Sequence, residues 1–178
     1  MAEIQTINIG SSANDGTGDT IRAGMDKVND NFANFKIEGT NFTGSVIIGH
    51  STTGTLSSAS NNTGVGIAAL DSITSGTNNT VVGHDAGTAI TDGAANVLIG
   101  NEAGDAITSG GNNIAIGHRA LSTEDGHGRN VAIGNQALKD LDAGANGLNV
   151  AIGHNAAENM TTGNYNVILG GLAGDALT

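Results

Sequence analysis

The chain contains no cysteine, proline or tryptophan, and its 178 residues include one tyrosine and three phenylalanines. Without cysteine there is neither a disulfide framework nor a thiolate metal site. The scarcity of rings argues against a thick globular core, which leans on aromatics that each bury a large apolar area. Ile, Val, Leu and Ala must fill the interior instead, beside 29 glycines, a mixture suited to a narrow, regularly stacked core. Positive charge is also scarce: six Lys and Arg face 17 Asp and Glu, for a formal net charge of −11. A phosphate-backbone binder needs clustered basic residues, so no nucleic-acid partner is expected. No apolar run approaches the roughly 18 residues of a membrane span, so no membrane insertion is expected either. The opening MAEIQTINIG lacks the basic-then-apolar order of a signal peptide.

What is abundant is repetition. NVAIGNQAL at 130–138 returns as NVAIGHNAA at 149–157 and as NNIAIGHRAL at 112–121. Anchored on the glycine, the units fall at Gly49, Gly66, Gly83, Gly100, Gly117, Gly134, Gly153 and Gly170, 17 residues apart except for one step of 19. Four residues before the anchor stand Asn62, Asn79, Asn96, Asn113, Asn130, Asn149 and Asn166, with Ser45 departing. Three residues after it comes Ala, except at Thr52, and seven after it an aliphatic or Met, except at Glu124. Helical repeats run to about 33 residues or more, and the phrase is β-branched and broken by Gly. Seventeen residues fit one coil of a parallel β-roll or β-solenoid, read as two short strands and two turns with NQAL opening the return strand.

Alternation puts the positions three and one before the anchor on one face and the position between them on the other. Both faces are largely apolar, so both must be covered. Association of identical chains is the simplest cover, and a homotrimer is the expected assembly. Coils stacked about 4.8 Å apart turn the Asn column into a ladder of side-chain amides, where Asp would stack like charges. The two extra residues fall in GANGLN, between Gly144 and Asn149, where a loop tolerates them.

Residues 1–44 follow another pattern. In DTIRAGMDKVNDNFANF, Ile21, Met25, Val28, Phe32 and Phe35 recur at helical spacing behind Asp19 or Thr20 as N-cap. The expected organisation is an N-terminal attachment segment at 1–36 with an amphipathic helix at about 20–35, a linker at 37–44 and the repeat shaft at 45–178.

Chemistry-bearing motifs are few. NDGTGD at 14–19 offers two Asp and an Asn among glycines but lacks a twelfth-position Glu, which favours a tight turn into a capped helix over a calcium loop. His50, His84, His118 and His154 follow the anchor glycine in alternate units. They are weak candidates for imidazole metal ligation, because Ile67 and Gly171 share their column and a permissive turn position explains both. GVGIAA at 64–69 meets a loose dinucleotide pattern inside the repeat register and is a by-product of it. No nucleophile–base cluster stands out, so neither an enzyme nor a cofactor is expected.

The unit NVAIGNQAL, with TTGNYN, resembles the repeats of phage tail-fibre shafts and, more distantly, of trimeric autotransporter adhesin heads. That likeness implies a trimeric left-handed β-roll. Departures are Gly87, Gly104 and Gly174 where those repeats carry Leu, and the missing aromatic after the anchor. The segment NIGSSANDGTGDTIRAGMDKVNDNF is similar to the opening of many tailed-phage virion proteins, with Gly24 departing from a small Ala. The resemblance implies that Asn14, Asp15, Gly16, Thr17, Gly18, Asp19, Arg22 and Phe32 belong to a virion-attachment element. The combined expectation is an all-β, trimeric parallel β-solenoid preceded by a short helix, serving as a tail fibre or baseplate-associated fibre. It would be assembled in the host cytoplasm, joined to other tail or baseplate proteins through its N-terminus, and directed at a host surface receptor. A capsid-surface fibre or decoration protein, or a bacterial trimeric surface adhesin head, would use similar parts.

Overall fold

In the computed structural model, residues 35–39, 41–49 and 55–177 are described. The expected helix at about 20–35 and the attachment residues Asn14 to Asp19, Arg22 and Phe32 lie outside them, apart from Phe35, which opens a strand. β1 (Phe35–Gly39) and β2 (Phe42–Ile48) form an antiparallel hairpin, with Phe35 opposite Ile48 and Gly39 opposite Phe42. The segment read as a linker is therefore largely paired structure. The short β3 (Ala59–Ser60) lies parallel to the start of β2.

From β2 onward the chain winds as a stack. β4 (Thr63–Val65), β5 (Thr80–Val82), β6 (Val97–Ile99), β7 (Ile114–Ile116), β8 (Val131–Ile133), β9 (Val150–Ile152) and β10 (Val167–Leu169) add in order, each parallel to its predecessor. Register is constant: Val81 lies against Leu98, Ala115 against Ala132, and Ala132 against Ala151. The fold is an all-β parallel β-solenoid of 17-residue coils.

Each coil from β4 onward contributes one three-residue strand, not the two expected. The reason lies in the backbone after the anchor. The second and fourth residues beyond it are left-handed in every coil from Gly66 on, as at Gln136 (φ 55°) and Leu138 (φ 50°), so NQAL turns and does not return as a strand. The anchor glycines sit at φ between 124° and 145°, a region closed to L side chains. Stacking imposes a second constraint there: a Cβ at Gly49 would lie 2.5 Å from the carbonyl oxygen of Gly66, and the same collision recurs up the column through Gly153.

The middle residue of each strand points inward. Ile47, Val81, Leu98, Ala115, Ala132 and Ala151 are fully buried, facing the Ala column and the aliphatic column of the same coils. Phe42, the one aromatic in this core among the described residues, lies at the N-terminal end of the stack. The interior is filled by exchange of volume within a coil. Where the strand centre is small (Gly64, Ala115, Ala132), the fourth residue after the anchor is Leu70, Leu121 or Leu138, except that Ala151 is matched by Ala157. Where it is large (Val81, Leu98, Ile168), that position is Gly87, Gly104 or Gly174. A Cβ at Gly104 would lie 2.8 Å from both Leu98 Cδ2 and Ile107 Cδ1. The three glycines that depart from the related repeats are therefore the complement of a large strand centre.

Candidate functional site: an asparagine spine and an apolar stripe

The Asn column is buried, with Asn62, Asn79, Asn96, Asn113, Asn130 and Asn149 at 0–1% exposure. Each Oδ1 accepts the backbone N–H of the next Asn, at 3.0 Å from Asn62 to Asn79 through Asn113 to Asn130 and 3.2 Å from Asn130 to Asn149. Nδ2 donates to a carbonyl 14 residues ahead: Gly76 for Asn62, Gly93 for Asn79, Gly110 for Asn96, His127 for Asn113 and Gly163 for Asn149. One amide thus links its own coil to the next and pins the far turn. Asn has the donors and the acceptor this needs, and carries no charge to stack. Ser45 opens the spine: its Oγ accepts the Asn62 N–H at 2.8 Å. Asn166, half-buried in the last coil, continues it by donating to Asn149 Oδ1 at 3.1 Å. The interruption is Asn130, whose buried Nδ2 has no protein acceptor, because the inserted residues displace the carbonyl at Gly144.

On the outer face the strands present one aliphatic column, from Ile48 to Leu169, and beside it a second that is Thr at Thr63 and Thr80 and aliphatic from Val97 onward. Ile48, Val65, Val82, Ile99 and Ile152 are all 37–39% exposed, and Val97, Ile114, Ile116, Val131, Ile133 and Val150 are half-buried beside them. At β10 exposure rises to 71% at Val167 and 65% at Leu169. The result is a stripe of branched side chains kept in register along the stack. Scattered exposed aliphatics need no explanation, but a contiguous row marks a contact surface.

Comparison with protein-family models, curated proteins and solved structures gave no match. The site is therefore read from its own chemistry.

Beside the stripe runs the column holding the histidines. His84 and His118 each receive the amide of the next coil's Asn on Nδ1, from Asn101 and Asn135 at 3.2 Å. Asp85 also lies 2.9 Å from His84 Nδ1. One nitrogen cannot accept from Asn101 and donate to Asp85 together, so the first contact needs a bare Nδ1 and the second an Nδ1–H. His84, His118 and His154 are two coils apart, about 9–10 Å, too far to share an ion within one chain. His50 lies outside the described residues.

Charge is placed singly on the flanks. Arg119 meets Glu102 at 3.2 Å, and Lys139 meets Glu158 at 2.6 Å, a bond that raises the Lys139 pKa. Asp105 has no such partner. Its Oδ1 is buried without a hydrogen bond, and burial foremost, with Glu102 nearby, raises its carboxyl above the usual 3.8. A raised carboxylate pKa contributes stability below the unfolded value and loses it as pH rises through the folded one. Asp105→Asn is therefore expected to raise the melting temperature at pH 7, with the gain vanishing below about pH 3.8, in melts recorded across pH.

One cluster forms no contiguous sequence motif. The structure gathers Glu124, Asp125, His127 and Asp142, with one potential ligand atom from each within 4.8 Å of the others. The sequence did carry a signal in departures from its columns. Glu124 replaces an aliphatic, and Asp125 and Asp142 occupy the position held by Thr74, Thr91, Thr108 and Thr161 in other coils.

Proposed function

We propose that the protein is a non-enzymatic virion structural protein, a tail fibre or baseplate-associated fibre whose solenoid is one strand-bearing face of a homotrimeric shaft. The observation that carries this reading is the aliphatic stripe on the outside of the stack, unbroken in the column from Ile48 to Leu169. Among the described residues nothing lies over it, whereas identical chains offer each other matching rows at the same coil spacing. Ile48, Val65, Val82, Ile99 and Ile152 are each a little over one third exposed, so covering one of them contributes about 0.5–1 kcal/mol, and the rows together offset the cost of association. The asparagine spine makes the shaft stiff, and the number of coils sets its length. Attachment to tail or baseplate proteins is assigned to residues 1–36 through their similarity to phage virion openings, and host contact to the projecting shaft.

Light scattering on the purified chain should give about three times 17.5 kDa. The pair Val82→Asp and Ile99→Asp, on the outer face, should shift that mass toward one copy while the circular-dichroism spectrum stays that of the parent. Removal of residues 1–36 should leave the oligomer intact and abolish incorporation into particles. A monomeric parent chain would overturn the shaft, and normal incorporation of the truncated chain would overturn the attachment.

A further inference from the structure

We infer that Glu124, Asp125, His127 and Asp142 form a structural site for a divalent cation of the zinc class, which clamps the inserted loop to the coil before it. The inference is independent of trimer formation and of any virion role.

Two separate features lead to it. The first is column logic. Glu124 is 0% exposed in a column otherwise filled by Leu56, Ile73, Ile90, Ile107, Leu141 and Met160. Burying a carboxylate in an apolar stack costs several kcal/mol unless its charge is met. Asp125 and Asp142 then stand in successive coils of the Thr column, so two like charges stack where hydroxyls do elsewhere. In that column Thr74 Oγ1 donates to the Thr91 carbonyl at 3.0 Å and Thr108 Oγ1 to the Asp125 carbonyl at 3.1 Å, bonds an ionised Asp cannot donate. Among the described residues, no Lys or Arg forms an ion pair with any of the three carboxylates, and the one cationic partner within reach is His127, 3.0 Å from Glu124. Three departures from the repeat thus gather negative charge at one point.

The second feature is the geometry of the donors. Glu124 Oε1 lies 3.0 Å from His127 Nδ1 and accepts the His127 backbone N–H at 3.0 Å, while Oε2 accepts the Ala143 N–H at 3.2 Å. The buried carboxylate is held rigidly by two chain segments. Oε1 and Nδ1 are paired with each other at 3.0 Å, so an ion here would take the place of the proton they share and part them to about 3.3 Å, the tetrahedral edge for ligands at 2.0–2.1 Å. Asp125 and Asp142 are exposed and free to close on an ion held there. One imidazole nitrogen with carboxylate oxygens suits zinc, whereas calcium and magnesium favour all-oxygen shells.

The position explains the use. Backbone N–H to carbonyl bonds join Thr74 to Thr91, Thr91 to Thr108 and Thr108 to Asp125, and the series resumes from Asp142 to Thr161 beyond the insertion. The break sits where Asn130 loses its acceptor. A cation between Asp125, His127 and Asp142 restores the missing tie between these coils.

The test is thermal melting of the full chain, first in chelator and then in Zn²⁺, with Ca²⁺ and Mg²⁺ as comparisons, together with titration calorimetry. Zinc should bind one ion per chain and raise the melting temperature by several degrees, reversed by chelator. The pair Asp125→Asn and Asp142→Asn should melt above the parent in chelator, because stacked charge is removed, and below it in zinc, because ligands are lost. That reversal of order is not expected of a carboxylate cluster with a purely internal role. His127→Gln should abolish the zinc response, and in chelator it should melt below the parent, because Glu124 Oε1 loses its Nδ1 partner. Identical parent melts in zinc and chelator would overturn the site. So would a zinc response that survives in all three substitutions, or one lost instead with His84, His118 and His154.

Discussion

Asn96→Ala is expected to destabilise the solenoid by about 3–5 kcal/mol, a large share of the roughly 5–15 kcal/mol that holds a domain together. The side chain makes three buried bonds: Oδ1 to the Asn113 N–H at 3.0 Å, and Nδ2 to Asn79 Oδ1 at 3.1 Å and the Gly110 carbonyl at 2.9 Å. Truncation strands the Asn113 N–H and the Gly110 carbonyl away from water, and each orphan costs about 1–3 kcal/mol. Asn130→Ala is the internal comparison. Its Nδ2 has no partner to lose, and the main orphan is the Asn149 N–H, so it should cost about 1–2 kcal/mol less. Urea unfolding of both variants measures the difference. Equal losses would mean that the spine stabilises by packing and not by hydrogen bonding. Because each coil contacts only its neighbours, amide exchange should locate the damage in the coils flanking Asn96.

Leu98→Ala and Gly104→Leu should each destabilise the chain alone and largely cancel together. Leu98 is fully buried, and removing its branch leaves a cavity worth about 2–5 kcal/mol. Gly104→Leu puts a Cβ 2.8 Å from Leu98 Cδ2 and Ile107 Cδ1, an overpacking worth about 1–3 kcal/mol or more. The double variant reproduces the pairing of Ala115 with Leu121 and of Ala132 with Leu138. Leu is already accepted there at φ 54° and 50°, close to the 57° of Gly104. It should unfold within about 1.5 kcal/mol of the parent, a coupling of about 3 kcal/mol in a double-mutant cycle. Additive losses would show that the two positions do not share one space.

Much of this organisation is legible before any coordinates. Parallel in-register stacking gives residues 17 apart the same environment, so the anchor glycines, the Asn column and the Ala column display their roles by recurrence. The placement of GANGLN in a turn follows from the same logic. Less visible was the course of the chain beyond the anchor. Residues as unlike as Ala68, Asp85, Glu102 and Arg119 all take a left-handed backbone, because the closing coil sets that geometry and the side chains only tolerate it. NQAL therefore reads as a strand by composition and folds as a turn. The acidic cluster was legible only as separate exceptions, at Glu124 in one column and at Asp125 and Asp142 in another.

By itself the sequence determined the repeat length, the stacking register and the chemistry each column can support, since these depend on periodicity alone. The tertiary structure decided which of two apolar faces is the interior. A three-residue strand such as VAI is greasy on both sides, and local pattern cannot rank them. The choice is made by the turn after Gly134, which brings Ala137, Leu138 and Leu141 over Ala132 and leaves Val131 and Ile133 facing out. Only that closure brings the exceptional residues of two coils together and lines up the outer residues of every coil into one stripe.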